Sequence, residues 1–243
     1  MTTRRLTFLL TAGTLCLAAP ALAADATSLA NIATTQQVPF QAGGTIYLNH
    51  SFGELLIQGW DRPDVEIEVT KTPDELYTAK DQAAANKLAD NVKVTATRRS
   101  PGELVIATTV GHFSRWRHPF SETADLMMVY RIRVPRDSKL VIRHGDGDVL
   151  VSDMLSDIDA TCHSGDIAVL LPENGQYAID ALSHVGTLSS DFEGNFHHGL
   201  WSSDFSSKAP AAAAHHVHLR TGFGGIEIKG QPVAALAPAS VTR

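Results

Sequence analysis

Short runs of alternating apolar and polar residues recur along most of this chain. In each, a glycine turn with an acidic or polar neighbour leads into a segment of the form apolar, any residue, apolar. The unit appears as FGELLI at 52–57, GDVLV at 147–151, GDIAV at 165–169, VGTLS at 185–189 and GGIEI at 224–228. Alternation with period two indicates half-buried β-strands, and its recurrence at a step near 20 residues predicts stacked structural units.

The spacing of the repeat glycines predicts how the units stack. Gly147 and Gly165 are 18 residues apart, Gly165 and Gly186 are 21 apart, and Gly224 follows after 38, close to twice that step. Because glycine tolerates positive φ, we interpret these positions as sharp corners. The sequence therefore predicts an all-β fold, a single-stranded β-solenoid with rungs of about 20 residues, and neighbouring rungs should pair at roughly 4.8 Å.

Three segments interrupt the alternation. Residues 73–91 contain a proline followed by two acids and then the run AAANKLADN, which predicts one short helix inserted between rungs. Residues 111–123 are polar and aromatic without a strand period, which predicts an exposed loop. Residues 194–216 disturb the repeat before it resumes.

The two ends of the chain differ from the repeat. Residues 1–23 place two arginines before an apolar run and end in small residues, which predicts a secretory signal peptide cleaved after Ala23. The apolar run is shorter than the roughly 20 residues of a membrane span. Residues 24–42 predict a flexible leader, residues 43–230 the β-solenoid domain, and the Ala/Pro-rich residues 231–243 a disordered tail.

Charge and cysteine content narrow the functional classes. The formal net charge of −6 becomes −8 when the two arginines of the signal peptide are removed, which argues against nucleic acid as a partner. Only Cys162 remains after cleavage, so no intramolecular disulfide can form. No later stretch is apolar enough to span a bilayer. We expect an exported protein of the periplasm, with an extracellular or cell-surface location as the alternative.

Histidines near the repeat glycines suggest a metal-binding stripe, but their phase argues against it. His50 and His144 share the inward phase of the apolar residues, whereas His163 and His184 fall in the outward phase. We interpret them as corner residues that cap turns. A second histidine group at 197–218 matches no structural zinc spacing, and we predict no metal or cofactor, with zinc or copper binding by that group as the alternative.

The clearest repeats resemble a known family. The run YRIRVPRDSKLVIRHGDGDVLVSDMLSDIDATCHSGDIAVLLPENGQYAIDALSHVGTLSSDF carries a strand that ends in Val134 and Pro135, Ser/Asp-Gly-Asp-apolar units at 146–149 and 164–167, and is followed by a closing Gly-Gly-Ile at 224–226. These features resemble the bacterial adhesin-like domain family of unknown function called toastrack, similar to the head domains of autotransporter adhesins, over residues 43–230. The resemblance implies a β-solenoid that is exported or envelope-associated, with no catalytic residues to carry over.

The first functional hypothesis is a non-enzymatic, adhesin-like interaction protein of the cell envelope. Arg115, Trp116 and Arg117 gather aromatic and cationic groups in an otherwise acidic protein, and such residues dominate binding hot spots. We predict that this loop contacts an envelope protein or a glycan. The alternative is that Trp116 folds back to cover apolar surface.

The second hypothesis is a carbohydrate-active enzyme, of the polysaccharide lyase or hydrolase type, on the same scaffold. Asp157 and Asp159 would project from one outward side, as paired carboxylates for acid and base chemistry do. Acids on adjacent strand positions also keep a surface soluble, and the chain has no nucleophile motif, phosphate-binding glycine loop or metalloprotease helix. We predict no catalytic residues.

Overall fold

The computed structural model describes residues 32–73, 86–87, 89–110, 126–173, 175–208 and 215–232. These residues form β-strands in two sheets that face each other across one apolar core. The predicted all-β class is therefore confirmed. Among the described residues, no helix has the length and apolar character that crossing a bilayer requires.

Sheet A contains, in spatial order, β1 (Ile32–Pro39), β4 (Asp64–Pro73), β7 (Leu126–Pro135), β3 (Glu54–Trp60), β9 (Val149–Ser152), β11 (Ile167–Pro172), β17 (Ile226–Gln231) and β13 (Leu188–Ser190). Sheet B contains, in spatial order, β14 (Gly194–His198), β15 (Ser203–Ser207), β12 (Tyr177–Val185), β16 (His215–Phe223), β10 (Ile158–Ser164), β8 (Lys139–Asp146), β2 (Thr45–Phe52), β6 (Glu103–Val110) and β5 (Val92–Ser100).

The alternation predicted from sequence determines which side chains enter the core. In β7, Met128, Tyr130 and Ile132 are buried, while Arg131 and Arg133 face outward. The outward arginines pair with acids on the antiparallel neighbour β4, as in the 2.6 Å contact between Arg133 and Glu66. One face of each sheet therefore fills the interior, and the other carries charges.

The middle of the stack consists of rungs, each made of two consecutive strands with one strand in either sheet. The rungs lie in the spatial order β6–β7, β2–β3, β8–β9, β10–β11, β16–β17, β12–β13, and neighbouring rungs pair in parallel. Antiparallel strands extend both ends, namely β5 with β4 and β1 at one end and β15 with β14 at the other.

This arrangement does not confirm the predicted single-stranded solenoid. The two sheets are mixed, and the last rung, β16–β17, lies between β10–β11 and β12–β13. Likewise β6–β7 lies on the side of β2–β3 opposite to β8–β9. Every rung has the same alternating pattern, so the pattern fixes which face is buried but not which rung pairs with which.

The structure also corrects the predicted boundaries. Residues 32–39, expected to belong to a flexible leader over 24–42, form the edge strand β1, whose backbone pairs with β4 although most of its side chains are exposed. Strand β4 continues to Pro73, where the helix was expected to begin. Of the predicted helix over 73–91, residues 86–87 and 89–90 have helical backbone, and residues 74–85 and 88 lie outside the described residues.

Glycines form the corners between the two sheets, as the repeat predicted. Gly147, Gly165 and Gly224 have φ of 118°, 130° and 138°, a region that favours glycine. The corners also stack tightly, because a Cβ on Gly165 would lie 2.1 Å from the carbonyl oxygen of Gly147. Glycine is therefore required here both for its φ and for the close approach of adjacent rungs.

Candidate functional site

A row of buried side chains with hydrogen-bonding groups follows the corners inside the stack. Its members lie three residues before each corner glycine, and in spatial order they are His50, His144, Cys162, Thr221 and Ser183. Thr221 Oγ1 donates to the Gly165 carbonyl at 3.0 Å, and Ser183 Oγ donates to the Gly224 carbonyl at 2.7 Å. We name this the corner row, and its hydroxyl groups satisfy buried corner carbonyls.

The phase argument from the sequence is confirmed for the four histidines nearest the corners. His50 and His144 are 3% and 4% exposed, while His163 and His184 lie on the outer surface. Sequence reasoning found only the histidines of the corner row. The signal it missed was a hydrogen-bonding group of any kind at the third residue before each glycine.

His50 belongs to a buried network with Thr108 and Tyr130. The His50 Nδ1 atom and the Tyr130 hydroxyl each lie 2.8 Å from Thr108 Oγ1, and the His50 and Tyr130 rings are 4.4 Å apart. Burial, together with the neighbouring His144, lowers the pKa of His50 to about 3. Burial also raises the pKa of Tyr130 to about 12, so the network is uncharged at neutral pH.

His144 is buried without a hydrogen-bond partner for either ring nitrogen among the described residues. Burial lowers its pKa, while the nearby carbonyls of Gly53 and Asp146 act in the opposite direction. Burial likewise raises the pKa of the next member of the corner row, Cys162, to about 11. The corner row is thus a neutral structural element, and its thiol is not an activated nucleophile.

The described residues contain no group of three or more His, Cys, Asp or Glu side chains that could hold a metal ion. The second histidine group is divided between two strands, with His197 and His198 on β14 and His215, His216 and His218 on β16. Strands β15 and β12 separate them. Metal binding by residues 197–218 therefore has no convergent set of ligands in this part of the chain.

The acids that follow the corner glycines bind the backbone of the next rung. Asp148 Oδ1 accepts a hydrogen bond from the Asp166 N–H at 2.9 Å, and Asp166 Oδ1 accepts one from the Gly225 N–H at 2.6 Å. These carboxylates join successive rungs, which is a structural role.

The two carboxylates considered for catalysis are each occupied by a cation on a neighbouring strand. Asp159 forms a two-point contact with Arg143, at 3.1 and 2.9 Å, and Asp157 lies 3.4 Å from Lys139. Although burial raises the pKa of Asp157, hydrogen bonds from the His216 N–H and from Lys139 outweigh it and hold the pKa below its ordinary value. Both groups therefore act as ion-pair acceptors on the outer face of sheet B.

The loop that the sequence favoured for recognition lies outside the described residues. Arg115, Trp116 and Arg117 fall within 111–125, so the predicted contact with a partner or ligand stays a prediction.

The irregular segment after β13 forms a hairpin with an exposed apolar tip. Strands β14 and β15 pair antiparallel and add to the edge of β12, and residues 199–202, which we name the hairpin tip, connect them. The Gly199 N–H donates to the Ser202 carbonyl at 2.8 Å. Between these residues Leu200 is 89% exposed and Trp201 73% exposed, which is unusual for side chains of this size.

The base of the same hairpin is fixed to the core. Phe205 on β15 is fully buried, and its ring lies 4.6 Å from that of Phe196 on β14. No charged residue interrupts 199–203. The hairpin therefore presents two large apolar side chains on a supported turn. A glycine and two serines around Leu200 and Trp201, between short alternating runs, are the sequence signal that could have indicated it.

The chain is similar to solved structures from several bacteria. One is a putative cell adhesion protein from Clostridium sporogenes, with 13% identity, a TM-score of 0.47, and coverage of 82% of this chain and 100% of that chain. Another is a putative adhesin from Bacteroides fragilis, with 9% identity, a TM-score of 0.33, and coverage of 81% of this chain and 97% of that chain. No curated protein matches the sequence significantly.

The family comparison covers more than half of the chain. It matches residues 64–229, which extend from the start of β4 to within the last strand, β17, and so include the whole stacked repeat apart from β1 to β3. The stacked rungs, the glycine corners and this match agree with the resemblance found in the sequence, and the chain belongs to the toastrack family, DUF4097.

Proposed function

We propose that this protein is an exported, non-enzymatic interaction protein of the cell envelope, adhesin-like in function. The observation that supports it is the hairpin tip, where Leu200 and Trp201 are exposed on a turn whose base is anchored by Phe205. Exposed apolar clusters on a rigid support are typical of interaction sites. Tryptophan is also enriched among the residues that dominate binding energy.

The size of the tip suits an anchor rather than a whole interface. Burial of one large apolar side chain contributes about 1.5–3 kcal/mol, so the two side chains together supply about 3–6 kcal/mol. Tight binding therefore needs further contacts around the tip. The loop with Arg115, Trp116 and Arg117 is a second proposed contact.

The proposal is tested by binding of the fluorescently labelled mature protein to envelope preparations of the producing organism. We expect saturable binding that the double substitution Leu200→Ser/Trp201→Ser weakens at least about ten-fold, because each removed anchor contributes more than 1.4 kcal/mol. Leu155→Ser, which changes a partly exposed leucine outside the hairpin, is the matched control. Equal binding by the wild type and the double variant would contradict a role of the hairpin tip in binding.

Two parallel experiments test the other parts of the proposal. Arg115→Ala/Trp116→Ala should weaken the same binding if the loop is a second contact. Fractionation of the producing cells should recover the protein outside the cytoplasm, shortened by cleavage after Ala23. A full-length protein in the cytoplasm would contradict export.

A further inference from the structure

The outer face of sheet B carries a recess that neither the hairpin tip nor the ion pairs account for. Its volume is about 520 Å³. Four neighbouring strands, β8, β10, β16 and β12, line it, and its outward-facing side chains are Arg143, Thr161, His163, Leu182, His184 and Arg220. This volume is within the range of small-molecule sites.

The recess forms where a row of larger side chains is followed by a row that contains a glycine. In one row across the strands Arg143, Thr161, Arg220 and Leu182 are neighbours. In the next row Gly222 lies between His163 and His184, and a Cβ on Gly222 would lie 2.6 Å from the His163 carbonyl oxygen and 3.7 Å from His163 Nδ1. The missing side chain at Gly222 thus leaves a slot with an imidazole on either side.

The width of the slot selects the shape of the ligand. Two strand spacings separate the backbones of His163 and His184, about 9.6 Å in all, and van der Waals contact on both sides leaves at most roughly 6 Å between the side chains. That space accepts one saturated six-membered ring and is too narrow for a helix. The His163 ring is held edge-on against Phe223, with ring centroids 6.0 Å apart, so one wall of the slot has a supported orientation.

The charge of the lining selects the chemistry of the ligand. Among the described residues, the lining contains two guanidinium groups and no carboxylate, although the whole chain has a formal net charge of −6. Asp180 contacts Arg220 at 2.8 Å, and Asp159 contacts Arg143 at 2.9 Å. Both aspartates lie beside the recess and are not part of its lining. These pairs fix the guanidinium groups in place, and arginine is suited to carboxylate and phosphate oxygens.

We propose that this recess binds an acidic sugar, in which a six-membered ring enters the slot over Gly222 and its carboxylate or phosphate group contacts Arg220. The inference rests on the proposed function and deepens it, because β15 pairs with β12 and brings Ser203 opposite Ser183, next to His184. The hairpin tip therefore begins at the border of the recess. A glycan bound in the recess would continue toward Trp201.

The test is an NMR titration of the ¹⁵N-labelled mature protein with trigalacturonic acid and, separately, with glucose 6-phosphate. We expect saturable shifts of the Gly222 and His184 amide signals with at least one of these probes, and the responding probe identifies the acidic group. Galactotriose, glucose and inorganic phosphate are the matched probes that lack either the charge or the ring, and they should bind at least about ten-fold more weakly.

Substitutions assign the binding to the recess. Arg220→Gln should weaken it at least about ten-fold, and Leu182→Trp, which fills the recess without a change in charge, should abolish it. Arg131→Gln is the control, because Arg131 pairs with Glu68 on the opposite face of the molecule. The amide spectrum of each variant shows whether it is folded, and Arg143→Gln replaces Arg220→Gln if that variant is not.

Three results would overturn the inference. The first is equal binding of charged and neutral sugars, and the second is a loss of affinity with Arg131→Gln as large as that with Arg220→Gln. The third is no saturable shift with either acidic probe up to about 10 mM, where a ligand with a Kd of about 1 mM would be mostly bound. Envelope binding that persists after such a failure would leave the proposed function standing, since that experiment depends on the hairpin tip.

Discussion

At the scale of single residues, the buried histidines determine how the protein responds to acid. His50 is almost completely buried and accepts or donates its only described hydrogen bond at Thr108. An imidazole in this setting stays neutral in the folded state, because a charge there would lose its hydration. An unfolded chain exposes the same group to water, where it takes up a proton at an ordinary pKa near 6.5.

The free energy of unfolding should therefore fall as the pH is lowered. The folded pKa of His50, about 3, is below its ordinary value, so its contribution is complete above about pH 6.5 and is lost as the pH falls toward about 3. Between these limits the loss is about 1.4 kcal/mol per pH unit for one such histidine. Urea unfolding measured at several values from about pH 4 to pH 6 gives this slope.

The substitution that isolates this effect is His50→Gln. The free energy of unfolding of this variant should depend less steeply on pH than that of the wild type, by up to the slope that corresponds to one proton. This holds whatever the stability of the variant at neutral pH. His163→Gln, which changes an exposed imidazole, is the matched control. Identical slopes for the wild type and His50→Gln would show that this histidine is not held neutral by the fold.

At the scale of the elements, the corner between two strands is the unit that repeats. Each corner combines a glycine with positive φ, a polar side chain three residues earlier that faces inward, and in two rungs an aspartate that binds the next rung. The strands on either side are short, so neighbouring corners must stay in register for the sheets to form. Destabilisation of one corner should therefore affect the whole stack.

Three glycine substitutions separate the reasons for glycine at a corner. Gly165→Ala combines positive φ with a clash of 2.1 Å against the Gly147 carbonyl oxygen, and should cost at least about 3 kcal/mol or prevent folding. Gly43→Ala has positive φ but no atom within 4 Å of the new Cβ, and should cost about 1–2 kcal/mol. Gly102→Ala has neither problem and should change stability by no more than about 0.5 kcal/mol.

Thermal and urea unfolding of the three variants give the comparison directly. If Gly165→Ala were no more destabilised than Gly43→Ala, the close approach of stacked corners would not be a constraint on this fold.

At the scale of the whole molecule, the order of the rungs distinguishes this fold from a sequential solenoid. The last rung, β16–β17, is internal and pairs on both sides, with β10–β11 and with β12–β13. The rung that precedes it in the chain lies nearer the end of the stack and carries the hairpin. The C-terminal part of the chain therefore completes the middle of the molecule.

Two truncations test this order. A chain that ends at Lys208 lacks β16–β17 and should lose cooperative unfolding, because the edges of β10, β11, β12 and β13 would have no partners. A chain that ends at Pro232 keeps every described strand and should retain the Tm of the full chain. In a stack built in chain order, the first truncation would remove only a terminal unit. A cooperative transition for the chain ending at Lys208 would therefore contradict the internal position of the last rung.

The local features of this protein follow from the order of its residues alone. Period-two alternation set which side chains are buried in β7 and β8, and the positive-φ requirement marked Gly147 and Gly165 as corners, because both depend only on neighbouring residues. The same phase separated the inward His50 from the outward His163. These features needed no knowledge of which strands pair.

The pairing of the strands and the surfaces that remain open depend on contacts between distant parts of the chain. Rungs with the same alternating pattern can pair in any order, so the internal place of β16–β17 depends on packing between distant segments. The edge strand β1 has too few apolar residues to be distinguished from a leader until β4 is beside it. The outer face of sheet B arises in the same way, because β8, β10, β16 and β12 are far apart in sequence and become neighbours only in the folded chain.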